Sequence, residues 1–373
     1  MKTKELFDYL DATFLPEYQE NYDNAGFLVG DGDAEIKGVL IALDVTDAVV
    51  DEAIAKGLNV IVSHHPVIFG GMKRVTTSSQ TGKLLTKLIK NSIAVYAAHT
   101  NLDNLLYGVN GILAEKIGLH QCQILRPMEG VLRKLVTYVP VSHADEVRSA
   151  LFAAGAGHIA SGSQSTYDCC SFNSDGEGTF RPGNGSNPFC GEIGQLHHEK
   201  ETRIEVIYEK RIERQLLRLL RDAHPYEEPA IDCFALTNPM PTVGAGIVGF
   251  LQQAMTLADF YDMVKKRLDL PFIRTSRESS SDISRPVKKI AICGGAGAFL
   301  LNDAKARHAD ILLTSDLKYH DFQAAANDII LADIGHFESE QFAKEIIYRT
   351  ISEKFCNFVC QISSQNNSFI SYM

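Results

Sequence analysis

Short apolar runs bounded by turn residues alternate with amphipathic stretches along much of this chain. Lys37 to Asp44 (KGVLIALD), bounded by Gly30 and Thr46, is almost continuously apolar and predicts a strand buried on both faces. A helix over Asp47 to Lys56 follows. Asn59 to Ser63 and Ser92 to Ala98 predict two further strands, with an amphipathic helix over Thr81 to Lys90 between them. The rhythm returns near the end, where Lys288 to Cys293, Ala309 to Thr314 and Asp328 to Asp333 read as buried strands. Helices are expected around Ala298 to Ala306 and Asp321 to Ala326, and one longer amphipathic helix over His336 to Ser352. Alternating strand and helix predicts parallel sheet.

The middle has a different texture. Lys134 to Val141 (strand), His143 to Ala154 (helix), Gln164 to Asn173 (strand), Arg203 to Glu209 (strand), Glu213 to Asp222 (helix) and Ala230 to Leu236 (strand) give the order β-α-β-β-α-β of ferredoxin-like domains. A Gly-rich stretch from Gly176 to Gly194, too irregular for a helix, separates its second and third strands. The expected architecture is therefore α/β: a split α/β domain with mostly parallel sheets, interrupted by an inserted ferredoxin-like α+β domain. The expected boundaries are 1–127 for the first half, 128–240 for the insert and 241–373 for the second half.

Composition narrows the function. At 373 residues the chain has length for about two to three domains of roughly 150 residues. Its 36 basic and 46 acidic side chains leave a net charge of −10, which disfavours nucleic acid and anionic membrane surfaces and leaves small molecules or cations as the expected partners. No stretch reaches the roughly 18 apolar residues of a membrane span. Met1 to Pro16 carries no cleavable signal pattern, so a cytoplasmic address is expected. The eight cysteines form no Cys-x-x-Cys knuckle and read as reduced thiols, so a metal would be held by histidine and carboxylate.

Ligand sites in parallel sheets form beyond the carboxyl ends of strands. Three polar clusters fall at such ends, on strands expected to be neighbours: His64-His65, His99 with Asp103, and Asp333 to Glu340. Just past a strand and before Pro66, both imidazoles of His64 and His65 can turn toward one site. His336 and Glu340, four apart, share a face at a helix start. The donor set has too much nitrogen for magnesium or calcium and suits zinc, manganese, iron or cobalt. Two divalent metals sharing Glu340 is the economical arrangement. Taken singly, each residue has a plainer role; Asp103, for instance, suits a helix N-cap.

Other candidates are weaker. Cys293-Gly294-Gly295-Ala296-Gly297 is either an anion cradle or, preferably, a tight turn. His197-His198-Glu199 and the His224 to Pro229 segment look like metal sites but fall inside the insert, and are expected to be turn or interface residues. No activated-nucleophile pattern is found.

These motifs resemble a known family, the Nif-three-like dinuclear metal-centre hexameric proteins, often labelled GTP cyclohydrolase I type 2 homologs. The matching stretches are Asp23 to Gly30, Ser63 to Pro66, His99 to Asp103, Gly294 to Gly297 and Asp333 to Glu340. Tyr167 to Phe172, Gly176 to Phe180 and His224 to Ala230 resemble the insert of the longer bacterial members, which is similar to PII and CutA domains. Tyr22 departs from the family's usual Trp but keeps an aromatic.

The resemblance implies metal ligands at His64, His65, Asp103, His336 and Glu340. It pairs His65 and Asp103 on one metal and His64 and His336 on the other, with Glu340 touching both. It also implies a homohexamer. The activity it suggests is metal-dependent hydrolysis of a nucleotide or similar small polar molecule, with zinc first among the metals. His99 is the candidate for proton transfer or substrate contact, or equally for orienting Asp103. The alternative is a non-catalytic metal-binding or regulatory assembly whose insert senses a small molecule or binds a partner.

Overall fold

The computed structural model describes residues 1–373 except 161–164, 277–282, 326–327, 366–367 and 372–373. Gln164 and Ala326, at the ends of two expected elements, lie outside the described residues. Two compact units are present, one formed by residues 1–126 with 243–373 and the other by residues 127–242.

The first unit is built on two sheets. One runs in the order Gly26–Val29, Ala94–Ala97, Val60–Ser63, Gly38–Ala42, Val359–Ile362; its last four strands are parallel and Gly26–Val29 is an antiparallel edge. Every residue of Gly38–Ala42 is buried because both faces are covered. Val39 and Ile41 pack with Leu6, Leu10 and Ile347, whereas Leu40 joins Val49, Val50 and Leu88 on the opposite side. This explains the unbroken apolar run in the sequence.

The other sheet runs Arg274–Thr275, Ile330–Asp333, Ile311–Ser315, Pro286–Ala296, Met240–Thr256, Leu119–Met128. Its central three strands are parallel, and Arg274–Thr275 and Met240–Thr256 pair antiparallel with their neighbours. The expectation that all three polar clusters cap neighbouring strands needs correction. The strands before His64 and His99 are neighbours, but the strand before His336 belongs to the second sheet. The chain after the insert enters on Met240–Thr256, which pairs with Pro286–Ala296 and so builds its own sheet.

A second correction concerns His336 to Ser352, which forms two helices, His336–Glu340 and Ala343–Lys354. The break serves two different burials. Ala343, Ile347 and Ile351 join the core of the first sheet, while Ser339 hydrogen-bonds Gly295 of the second.

The second unit has the sheet order Ile231–Ala235, Leu132–Pro140, His197–Glu209, Phe172–Phe180, all antiparallel. In chain order its four strands thus lie 4-1-3-2, the ferredoxin-like arrangement. Helices Ala144–Ala153 and Glu213–Ala223 bury Val147, Leu151, Leu216 and Leu220 against Leu135, Val139, Ile204 and Val206. The third strand begins six residues before the expected Arg203, so His197 and His198 lie in sheet rather than in a turn. The start of the Gly-rich stretch completes the Phe172–Phe180 strand. Among the described residues no helix is long and apolar enough to cross a membrane, and all eight cysteines are free thiols.

Candidate metal centre

His64 and His65 leave the Val60–Ser63 strand without leaving its register: their backbone N–H groups still donate to Ala42 O and Leu43 O at 3.2 and 2.9 Å. The chain is therefore held in place while the two rings, 5.0 Å apart and inclined by 42°, turn to one side. His99 follows Ala94–Ala97, and its N–H donates to Asn101 Oδ1 at 2.9 Å, starting the one-turn helix Thr100–Asp103. Asp103 ends that helix, so it is not an N-cap; the next helix, Val109–Ile117, has Gly108 at its cap. Gly335, at φ +85°, turns the chain from Ile330–Asp333 into His336–Glu340.

These elements bring the other four expected ligand residues together around Glu340. Its Oε2 lies 2.8 Å from His65 Nε2, 2.9 Å from His336 Nε2 and 3.8 Å from His64 Nε2. His64 Nε2 is also 3.6 Å from Asp103 Oδ1. The donor atoms that lie with Glu340 fall into two sets, His64 with Asp103 and His65 with His336, and a third set brings His64 and His65 together with His99. This differs from the pairing implied by the family resemblance, because His65 stands beside His336 and His64 beside Asp103.

Each ring is fixed through its other nitrogen. His64 Nδ1 donates to Ala98 O, His65 Nδ1 to Asp44 Oδ1, His336 Nδ1 to Asp316 Oδ2 and His99 Nδ1 to Asp23 Oδ1, each at 2.7 Å. Carbonyls and carboxylates only accept here, so the ring proton sits on Nδ1 and Nε2 is left for another partner, the usual outer-shell arrangement of metal-binding histidines. Asp44, Asp316 and the role of Asp23 were missed in reading the sequence. Asp44 and Asp316 each follow the carboxyl end of a strand, so the strand-end rule would have found them had it been applied to carboxylates alone. The His99 ring bonds Asp23, which also accepts from Thr100; among the described residues it makes no bond to Asp103.

Two observations test whether a cation fits. His64 Nε2 and Asp103 Oδ1 are buried without a hydrogen-bond partner among the described residues. Their gap is too long for a hydrogen bond but matches two metal–ligand bonds of about 2.1 Å meeting near a tetrahedral angle. Charge points the same way. Burial opposes ionisation of Glu340, yet His336, His64 and His65 hold it well below the ordinary carboxylate range. Burial also opposes protonation of His65, but Asp44 and Glu340 raise it to about 10, and a hydrogen bond to Glu340 raises His336 to about 9. Burial raises Asp103 to about 7 against the pull of His64. Protons thus do here what cations would do, and metals displace such protons on binding. The residues present fit metal ions.

The Gly-rich segment closes the back of the site and is neither cradle nor free turn. Gly294 and Gly295 end the Pro286–Ala296 strand, their N–H groups already donating to Asn110 Oδ1 and Ser339 Oγ at 2.8 and 3.0 Å. In front lies a cavity of about 370 Å³ lined by His99, Asn104 and the aromatic side chains of Tyr22, Phe69 and Phe299. His224, by contrast, is a satisfied structural residue: Nε2 donates to Tyr138 O and Nδ1 accepts from Tyr226 N–H.

A model of the family described as Duf34/NIF3 (NGG1p interacting factor 3) matches residues 1–368. The chain belongs to this family. Among Duf34/NIF3 relatives, the "GTP cyclohydrolase 1 type 2 homolog" of Halalkalibacterium halodurans is 39% identical over 337 residues, covering 89% of this chain and 88% of its own. The protein of the same name from Bacillus subtilis is 36% identical over 360 residues, covering 96% and 93%. The crystal structure of a Bacillus cereus protein related to NIF3 superposes with a TM-score of 0.83 at 37% identity, covering 100% of this chain and 99% of that one. The family expected from the motifs is the one matched.

Proposed function

We propose that His64, His65, Asp103, His336 and Glu340 hold two divalent cations, zinc first among them, and that the protein is a metal-dependent hydrolase of a nucleotide or similar small polar molecule. The reading rests on one observation above all: His64 Nε2 and Asp103 Oδ1, both buried and without a hydrogen bond among the described residues, face each other across 3.6 Å beside Glu340. Two bound cations would supply Lewis-acid polarisation of a substrate oxygen and would acidify water. The protein's own contribution is to lock four imidazoles through Nδ1 and to keep Glu340 ionised between them. The cavity falls in the range of small-molecule sites, about 300–1,000 Å³. Tyr22, Phe69 and Phe299 at its wall offer faces for a flat ring such as a nucleobase, which agrees with the GTP cyclohydrolase name carried by relatives. His99, backed by Asp23, is assigned proton transfer to or from the substrate. A homohexamer completes the reading, on the strength of the family resemblance.

A regulatory reading is favoured by a separate observation, a cavity of about 820 Å³ within the insert, lined by Phe180, Phe189, Tyr226 and Glu201. The two readings differ in turnover. Metal-loaded protein incubated with GTP and a panel of nucleotides should yield a hydrolysed product that His64→Ala does not make. His99→Gln should retain its metals and lose about 10²–10⁴-fold in rate. Failure to turn over any member of the panel would favour the regulatory reading.

A further inference from the structure

We propose that Cys190, His197 and Glu199 of the insert form a binding site for a thiophilic divalent cation of the zinc class. His197 and Glu199 are two residues apart on the His197–Glu209 strand and so project from the same face, where His197 Nε2 lies 2.8 Å from Glu199 Oε2. His198 points the other way and pairs with Glu177 at 2.8 Å. The histidine pair in the sequence thus contributes one donor, and the third comes from a segment the sequence pattern did not connect to it.

That segment folds back over the strand. Gly191 adopts φ +84°, and a Cβ there would stand 3.0 Å from the His197 Cβ, so a glycine lets the chain beside Cys190 come close. The excursion is tied by Gly194 N–H to Pro182 O at 2.8 Å and by Asn187 N–H to Glu227 Oε2 at 3.0 Å. The His197 ring is braced edge-on by Phe180, with centroids 5.2 Å apart. One donor atom from each of Cys190, His197 and Glu199 then lies within 4.8 Å of the others.

The donor chemistry is selective. A thiolate with an imidazole and a carboxylate suits zinc and its neighbours, whereas magnesium and calcium want oxygen alone. Three protein donors leave one position of a tetrahedral ion for water or a ligand. Binding converts the Cys190 thiol to a thiolate, its proton passing to solvent. The plainer alternative, a surface His–Glu hydrogen bond beside a thiol, predicts no bound metal.

Cobalt(II) titrated into the full-length protein separates the two. No cysteine is among the proposed ligands of the main centre, so a near-ultraviolet thiolate-to-cobalt charge-transfer band is independent of the hydrolase reading, and its loss in Cys190→Ser, which leaves the other seven thiols in place, assigns it to Cys190. The expected result is a band in the wild type that persists in Glu340→Ala and vanishes in Cys190→Ser, with one fewer cobalt per chain. His197→Gln, which leaves the thiol in place, should weaken cobalt binding at this site at least tenfold. Absence of the band from the wild type, or its survival in Cys190→Ser, would overturn the assignment.

Discussion

A Cβ atom at Gly295 would stand 2.1 Å from Oε1 of Glu340. The carboxylate that ties both halves of the candidate centre together is thus seated against bare backbone, and Gly295 itself sits at φ +63°, where side chains are disfavoured by roughly 1–2 kcal/mol. Gly295→Ala is expected to push the Glu340 carboxyl group off its three histidines. The protein should still fold, with a stability loss of about 1–3 kcal/mol, but retain less than half of its metal. Elemental analysis beside thermal unfolding checks both; full metal content would show that Glu340 tolerates displacement.

Asp44 accepts from His65 Nδ1 and is not among the proposed ligands. Removing such a partner frees the ring to rotate and lowers its basicity, a loss of about 10–100-fold in metal affinity. Asp44→Ala should therefore bind the same number of metals at saturation and release one of them more readily to a competing chelator. Asp316→Ala should do the same through His336. Unchanged chelator competition in both variants would remove these carboxylates from the account.

What could be read from the sequence follows from what is local. The buried strands and the ferredoxin-like order depend on periodicity within one segment, and His336 with Glu340 depends on the pitch of a single helical turn. The division into two sheets depends on how Met240–Thr256 pairs, which no local pattern encodes. Asp23, Asp44 and Asp316 acquire their roles from partners 76, 21 and 20 residues away. Cys190 likewise meets His197 only because a glycine at positive φ folds the intervening loop back.

Glu52 offers a measurement away from the site. Burial alone would raise its pKa from 4.5, but hydrogen bonds from Lys56, Ser363 and Ser364 outweigh that and hold it at about 2. Its folded value is depressed, so the stabilisation is present above the unfolded value near 4.5 and is lost as pH falls toward 2. Glu52→Gln should lose about 1.5–3 kcal/mol at neutral pH and flatten stability against pH across that window. Parallel unfolding curves for the two proteins at every pH would contradict the linkage.

The pairing of donors around Glu340 separates the observed geometry from the family-based expectation. With His64 beside Asp103 and His65 beside His336, substitutions within a pair should empty the same position. His64→Ala and Asp103→Ala are then expected to lose one common metal and keep the other, while His65→Ala and His336→Ala lose its partner. The alternative pairing, His65 with Asp103 and His64 with His336, predicts the opposite grouping. Anomalous diffraction from crystals of the four variants locates the remaining ion in each. The geometry survives only if the His64→Ala and Asp103→Ala variants keep their ion next to His65 and His336, because there alone do two imidazole Nε2 atoms stay within 3 Å of Glu340 Oε2 once the other pair is broken.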